Sequence, residues 1–219
     1  GYSSFARRRD CGIGWGWHHS LAWQIEVTRT ATVVRSGRGQ TVQLGRLESA
    51  GDETGLQGWG LMRLAEGYVL RPGNEFLHFF RPDPTDEARF LLEGIQFRNR
   101  GSVRLEYDRS RLVRAIDTVG RVINFSSNAD GRIESISVPS PGGPSIVFAA
   151  FAYDRAGNLV EAVDADGASF SYSYDDDRRL VAMRVPSGMV FHFVYDSVGR
   201  CIETWGAGDG PDPTLVADA

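Results

Sequence analysis

The sequence contains no lysine: all 24 of its basic residues are arginine. This absence excludes a Walker lysine, a Schiff-base lysine and a serine-lysine dyad. Cysteine is nearly absent as well, because Cys11 and Cys201 are the only two and neither belongs to a Cys-x-x-Cys motif. The sequence therefore indicates no disulfide framework, and a single long bridge between the two cysteines stays open.

Long hydrophobic runs are also absent. No run reaches the ~20 apolar residues of a membrane span, and the first nine residues lack the apolar core of a signal peptide. The net charge of -4 provides no general attraction to nucleic acid or anionic membranes. With 42% hydrophobic and 11% aromatic residues, the chain nevertheless has enough apolar material for a folded core.

A 21-residue pattern dominates the second half of the chain, from Phe151 to Trp205. Each copy has a Tyr-Asp pair and, six positions after the tyrosine, a second marker. The tyrosines are Tyr153, Tyr174 and Tyr195, and the second markers are Leu159, Leu180 and Cys201. A fixed period of this length is typical of repeat architectures.

The composition of one copy predicts two strands. Aromatic residues alternate at period two in Phe170, Tyr172 and Tyr174, which is the spacing of one face of a strand. Two strands of ~6 residues and two turns of ~4 account for the period. Cys201 stands at the apolar position of its copy, so we expect it to be a small core residue.

These units resemble the YD repeats of the Rhs family, whose consensus is similar to Tyr-Asp-x-x-Gly-Arg-Leu. The copy from Tyr195 to Cys201 fits with cysteine in place of leucine, the copy from Tyr153 to Leu159 departs at one position, and the copy at Tyr174 lacks the turn glycine. Upstream, the Gly-x-Gly-Trp element that ends at Trp15 resembles the segment that opens the β region of many Rhs proteins. The resemblance covers nearly the whole chain and is strongest over residues 103–205.

The resemblance implies an all-β fold: a repetitive antiparallel meander that forms a long curved sheet, as a segment of an Rhs β-shell. We expect one continuous sheet with three parts. Residues 1–100 form a non-repetitive β region, residues 101–205 form about five repeat hairpins, and residues 206–219 form a truncated linker or the start of a further strand at Thr214–Ala217. Both termini suggest a piece of a longer protein.

Local signals refine this picture. Ser36–Gly39 and Pro72–Asn74 predict hairpin turns. Thr85 followed by acids predicts a helix of about two turns that reaches Leu92 and stops at Gly94. We expect Trp15 and Trp17 to plug the end of a β layer, because tryptophan buries ~150 to 250 Å².

In the Rhs family, by resemblance, the shell encloses a toxic C-terminal domain until delivery, often by a type VI secretion system. Related shells occur in insecticidal toxin complexes. The resemblance therefore implies a bacterial, exported protein whose partners are the rest of the shell, the enclosed toxin and secretion components or a chaperone. Self-association through sheet edges is also expected, whereas nucleic-acid binding and a membrane span are not.

We predict no catalytic, cofactor-binding or metal-binding residues, and we expect no enzymatic activity. A zinc site at His18 and His19 with Cys11 lacks a second ligand pair. The acids from Asp175 to Asp177, and Asp164 with Asp166, have the residue type of calcium ligands, but turn chemistry explains them better.

For the remaining histidines, arginines and acids, the sequence gives weaker signals of a functional role. His78 and His192 are interpreted as packed histidines, and Arg7–Arg9 as a solvated surface. A carboxylate pair for glycoside hydrolysis stays open, since separation in space decides it. The alternative function is a cell-surface carbohydrate-binding module that uses exposed tyrosines such as Tyr172 and Tyr195.

Overall fold

A computed structural model describes residues 1–73 and 76–208, and these form an all-β chain. Apart from a short 3₁₀ turn at Ser4–Ala6, the regular elements of the described residues are eighteen strands. The first eight are β1 (Gln24–Val27), β2 (Ala31–Arg35), β3 (Thr41–Gly45), β4 (Glu53–Leu56), β5 (Trp59–Leu64), β6 (Gly67–Pro72), β7 (Phe76–Asp83) and β8 (Asp86–Phe97). The other ten are β9 (Ser102–Asp108), β10 (Arg111–Asp117), β11 (Val122–Ser127), β12 (Ile133–Val138), β13 (Ile146–Tyr153), β14 (Leu159–Asp164), β15 (Ser169–Tyr174), β16 (Leu180–Arg184), β17 (Val190–Tyr195) and β18 (Cys201–Ala207).

Consecutive strands pair antiparallel along nearly the whole chain, which makes a meander. Strand β1 is different, because it pairs both with β2 and with residues 89–91 of β8. The following stretch of β8, Gly94–Gln96, pairs with β9. The long strand β8 therefore connects the non-repetitive part to the repeats, and the predicted continuous antiparallel sheet is confirmed.

The main hydrophobic core lies under the first part of the sheet. Ile25, Val34, Leu70 and Leu92 are fully buried there, and the core continues through Leu105, Ala115, Phe125 and Ile133 into the first repeats. Full burial of a side chain of this kind contributes about 1.5–3 kcal/mol. No helix among residues 1–73 and 76–208 has the length and apolarity required to cross a membrane.

The predicted helix from Thr85 to Leu92 is wrong, because this segment is a hairpin turn and the first half of β8. Asp83 closes the turn: its carboxylate accepts hydrogen bonds from the backbone N–H and hydroxyl of Thr85, both at 2.9 Å. Pairing with β1 and β7 also buries Phe90 and Leu92 in the core. Tertiary burial thus outweighs the local helix signal.

The turn at Ser36–Gly39 is confirmed, since it joins β2 to β3. Strands β6 and β7 also pair as predicted, although Asn74 in their connection lies outside the described residues. The expected strand start at Thr214–Ala217 lies outside them as well.

The prediction that Cys201 is a core residue is wrong. Cys201 is exposed, whereas Leu159 and Leu180 at the same repeat position are 2% and 5% exposed. Cys201 begins β18, which among the described strands pairs only with β17. The residue therefore lacks the cover that a neighbouring unit provides at the other two positions.

Candidate functional site: the tyrosine-aspartate turns

The repeat tyrosines act as hydrogen-bond donors between neighbouring units. The Tyr174 hydroxyl donates to the carbonyl oxygen of Leu159 at 2.7 Å, and the Tyr195 hydroxyl donates to that of Leu180 at 2.9 Å. The Tyr153 hydroxyl donates to the carbonyl oxygen of Ile133. Each acceptor is the first residue of its strand, so every tyrosine ties its own unit to the unit before it.

Burial keeps these hydroxyls neutral. It raises the pKa of Tyr195 to about 12 and raises the pKa values of Tyr153 and Tyr174 further. A phenol that stays protonated at neutral pH is a hydrogen-bond donor and not a general base. The tyrosines are therefore suited to a structural role.

The repeat aspartates close the tight turns. One carboxylate oxygen of Asp175 accepts from the backbone N–H groups of Asp177 at 3.0 Å and Arg179 at 2.8 Å, and the other oxygen accepts from Arg179 Nε at 2.7 Å. Asp196 makes the same set of bonds with Val198 and Arg200. The two backbone bonds recur at Asp117, Asn128 and Asp164, whereas Asp154 accepts from the backbone N–H and the side-chain amide of Asn158.

This bonding confirms the prediction of turn chemistry for the aspartates. Hydrogen bonds to the ionised form, from the backbone N–H of Arg200 first and from its side chain second, lower the pKa of Asp196. No group of three or more His, Cys, Asp or Glu side chains in the described residues is placed to hold a metal ion.

Residues 1–18, which we call the N-terminal strap, run along these turns. The Tyr2 hydroxyl donates to the carbonyl oxygen of Arg178 at 2.7 Å and accepts from the backbone N–H of Leu180 at 3.0 Å. The Ser4 hydroxyl donates to the carbonyl oxygen of Gly199 at 2.9 Å. These two contacts cross more than 170 positions of sequence, and no local signal identifies them.

The strap tryptophans contact one further turn and strand β15. Trp15 Nε1 donates to the carbonyl oxygen of Ala156 at 2.8 Å, and Trp17 Nε1 donates to the Tyr174 hydroxyl at 2.7 Å. The Trp17 ring packs edge-on against Tyr172, with 4.7 Å between the ring centroids. Both tryptophans therefore join the strap to the repeat units, whereas the position predicted for them, at the end of a β layer, stays a prediction.

The centre of the strap approaches the repeat backbone closely. The backbone N–H of Ile133 donates to the carbonyl oxygen of Gly12 at 2.7 Å, and Arg132 Nε pairs with Asp10 at 2.7 Å. A Cβ on Gly14 would lie 2.9 Å from the backbone nitrogen of Leu159, and Gly14 has φ +92°. Glycine is therefore required here by contact and by conformation.

The histidines have packing roles. His18 and His19 lie between strands and not within one. His19 Nε2 is 3.2 Å from the carbonyl oxygen of Cys11, and burial lowers the pKa of His19 to about 4. His78 packs on Trp23 with centroids 4.3 Å apart, and His192 stacks on Trp205 at 5.0 Å, which confirms the interpretation of both as packed residues.

Comparison with known proteins places the repeat in a family. Residues 153–190 match the family model described as RHS Repeat. The chain is 28% identical over 92 residues to the tRNA3(Ser)-specific nuclease WapA of Bacillus spizizenii, a match that covers 42% of this chain and 4% of that protein.

The chain also resembles, in part, solved structures that contain TccC3. The TcdB2-TccC3-Cdc42 crystal structure gives a TM-score of 0.43 at 15% identity, with coverage of 83% of this chain and 10% of that one. The Photorhabdus luminescens Tc holotoxin pore gives 0.42 at 15% identity, with coverage of 83% and 10%. The chain therefore spans only a small part of the length of each of these proteins.

Proposed function

We propose that this chain is a member of the Rhs, or YD-repeat, family and a non-catalytic segment of the wall of an Rhs shell. In this proposal, the shell encloses a C-terminal toxin, and the whole protein is exported from a bacterium, by a type VI secretion system, for use against competing bacteria. The wall segment separates the toxin from its surroundings.

The observation that carries the wall function is how the repeat uses its own polar groups. The hydroxyls of Tyr153, Tyr174 and Tyr195 bond to backbone carbonyls of the preceding unit. The carboxylates of Asp175 and Asp196 bond to their own turns. Because these groups hold the sheet together, they serve assembly and not chemistry.

The same observation argues against a glycan surface built on the repeat tyrosines. The Tyr195 hydroxyl is engaged with Leu180, and the Tyr172 ring is covered in part by Trp17. A sugar hydroxyl would have to displace the hydrogen bond between Tyr195 and Leu180. Trp17 of the strap would block access to the Tyr172 ring. We therefore propose no second function for these residues.

The test is to image the full-length gene product that contains this chain by electron microscopy. We expect a hollow β-shell with residues 101–205 in its wall and with additional density inside. A compact particle without an interior would overturn the shell proposal.

Catalysis is tested separately on the purified chain with nuclease and glycosidase substrates. We expect turnover no faster than in buffer. Activity that copurifies with the chain, and that falls when one Asp or His is replaced, would overturn the non-catalytic role.

A further inference from the structure

A cleft with a volume of about 600 Å³ lies at one end of the β1–β8 region, away from the repeat turns. Its rim is formed by the β2–β3 turn, the β4–β5 turn and the end of strand β6. Trp23, Trp59, His78 and Phe97 line it with rings, and Arg38 and Gln57 line it with polar groups. Ser20 and Gln40 add further polar groups. A volume of this size, with aromatic side chains beside several polar groups, is typical of small-molecule sites.

The rim is held in place by its own hydrogen bonds. The Ser36 hydroxyl accepts from the backbone N–H groups of Arg38 at 3.2 Å and Gln40 at 3.0 Å. The backbone N–H of Gly73 donates to the carbonyl oxygen of Gly58 at 3.0 Å and so joins two of the rim connections. The cleft is therefore preformed, which lowers the entropic cost of binding.

One rim residue lies in a tight hairpin turn. Leu56 pairs with Trp59, so Gln57 and Gly58 form the two-residue loop between β4 and β5, and both have positive φ, as such loops require. The turn places the exposed Gln57 amide at the mouth of the cleft.

The aromatic side chains of the cleft form a continuous apolar surface. The Trp23 ring lies 5.7 Å from Trp59 and 4.3 Å from His78, as measured between centroids. His78 is 4% exposed, and burial lowers its pKa to about 4, so the imidazole is neutral at pH 7. Its Nδ1 makes no hydrogen bond within the described residues. The Trp59 and His78 rings are tilted by 41° and 46° to Trp23, so the three rings form an angled apolar wall that a ligand ring can pack against and that offers no charge.

The charge of the cleft comes from Arg38. Its side chain is exposed and makes no ion pair or hydrogen bond with the described residues. None of the described residues that line the cleft is acidic, and Glu75, which stands between Gly73 and Phe76 in the sequence, lies outside the described residues. A guanidinium that pairs with no described residue, beside an apolar surface, matches a carboxylate that is attached to a ring.

We propose that this cleft binds a ring-containing carboxylate, with the ring against Trp23 and Trp59, the carboxylate on Arg38 and a ligand hydroxyl or carbonyl on Gln57. Two sources share this chemistry: an acidic sugar of the uronate type and an aromatic carboxylate. The site is independent of the proposed wall function, because it uses none of the repeat residues.

The test measures binding to the full chain by calorimetry, with the tryptophan indole N–H signals in NMR as a second readout. The probes are trigalacturonate and indole-3-acetate, and each is paired with a neutral counterpart, galactotriose or indole-3-acetamide. We expect at least one acid to bind, to shift the indole signals of Trp23 and Trp59 and to bind about tenfold more tightly than its neutral counterpart, which is the effect of about 1.4 kcal/mol. The acid that binds identifies the source.

Two exposed residues provide variants that keep the fold. Arg38→Ala is expected to weaken acid binding about tenfold and to remove the preference over the neutral probe. Gln57→Ala is expected to weaken both members of a pair. Arg29→Ala is the matched control, because Arg29 is an exposed arginine outside the cleft, and it should leave binding unchanged. Failure of both acids to bind, equal binding of acid and neutral probes, or binding that Arg38→Ala leaves intact would overturn the proposal.

Discussion

The hydroxyl of Tyr174 makes two hydrogen bonds at once. It donates to the carbonyl oxygen of Leu159 and accepts from Trp17 Nε1, both at 2.7 Å. It therefore connects two neighbouring units and the N-terminal strap through one oxygen atom. Tyr172, two residues earlier on the same strand, has a hydroxyl without a hydrogen bond to the described residues.

This difference predicts unequal effects of the same substitution. Tyr174→Phe is expected to lower the free energy of unfolding by about 2 kcal/mol, because it leaves a partly buried donor and acceptor unpaired. Tyr172→Phe is the control and should change the free energy by no more than about 0.5 kcal/mol. Urea unfolding at pH 7 measures both. Equal effects would show that the hydroxyl bonds of Tyr174 do not stabilise the fold.

The tyrosines also predict how stability changes with pH. Burial raises the folded-state pKa of Tyr195 to about 12, and those of Tyr153 and Tyr174 are raised further. The unfolded phenol titrates near its ordinary value of about 10. Above that value the unfolded state binds fewer protons than the folded state, so stability falls as pH rises.

We therefore expect the urea midpoint to decrease from about pH 10 to 12. In Tyr174→Phe the decrease should be shallower, because one titrating group has been removed. A midpoint that does not decrease above pH 10 would contradict the buried state of these hydroxyls.

At the scale of elements, the strap depends on glycine at a close contact. Gly14 and Gly51 have nearly the same conformation, φ +92° and φ +95°, but a Cβ on Gly51 would meet nothing within 4 Å. Alanine at either position has to adopt a left-handed backbone, which costs about 1–2 kcal/mol. Only alanine at position 14 also collides with the backbone of Leu159.

Gly14→Ala is therefore expected to destabilise the protein by about 2 kcal/mol more than Gly51→Ala. It should also speed hydrogen exchange at the Ile133 and Leu180 amides, which bond to the strap at Gly12 and Tyr2. Hydrogen-exchange mass spectrometry combined with urea unfolding measures both effects. If the two variants behave alike, the strap is not held by this contact.

For the whole molecule, the surface around β18 predicts association. Ile202 is 64% exposed and Trp205 is 45% exposed, and β18 has one pairing partner among the described strands. An unpaired strand edge with apolar side chains favours pairing with another chain. We expect the chain to self-associate at micromolar concentration.

Sedimentation velocity as a function of concentration tests this expectation. Ile202→Lys should shift the equilibrium toward the monomer by about tenfold in dissociation constant, because a lysine on an edge opposes strand pairing. Val119→Lys is the control, since Val119 is 76% exposed but lies in the turn after β10. A monodisperse monomer at micromolar concentration for the unmodified chain would contradict the prediction.

The sequence by itself determined the features that depend on short distances along the chain. The alternation in Phe170, Tyr172 and Tyr174 predicted strands, and the 21-residue period predicted their order. The aspartates at the turns predicted their own bonding, because an aspartate reaches backbone groups two and four residues away. Each of these features depends on residues that are close together in the sequence, so the sequence alone predicts them.

The tertiary structure alone decided the rest. The pairing of β1 with β8, and the contact between Gly12 and Ile133, join segments that nothing in the local pattern relates. The segment after Thr85 became a strand because pairing buries Phe90 and Leu92, and Cys201 is exposed because no described strand covers it. Such outcomes depend on which surfaces share a common core, and that is settled only when the whole sheet is assembled.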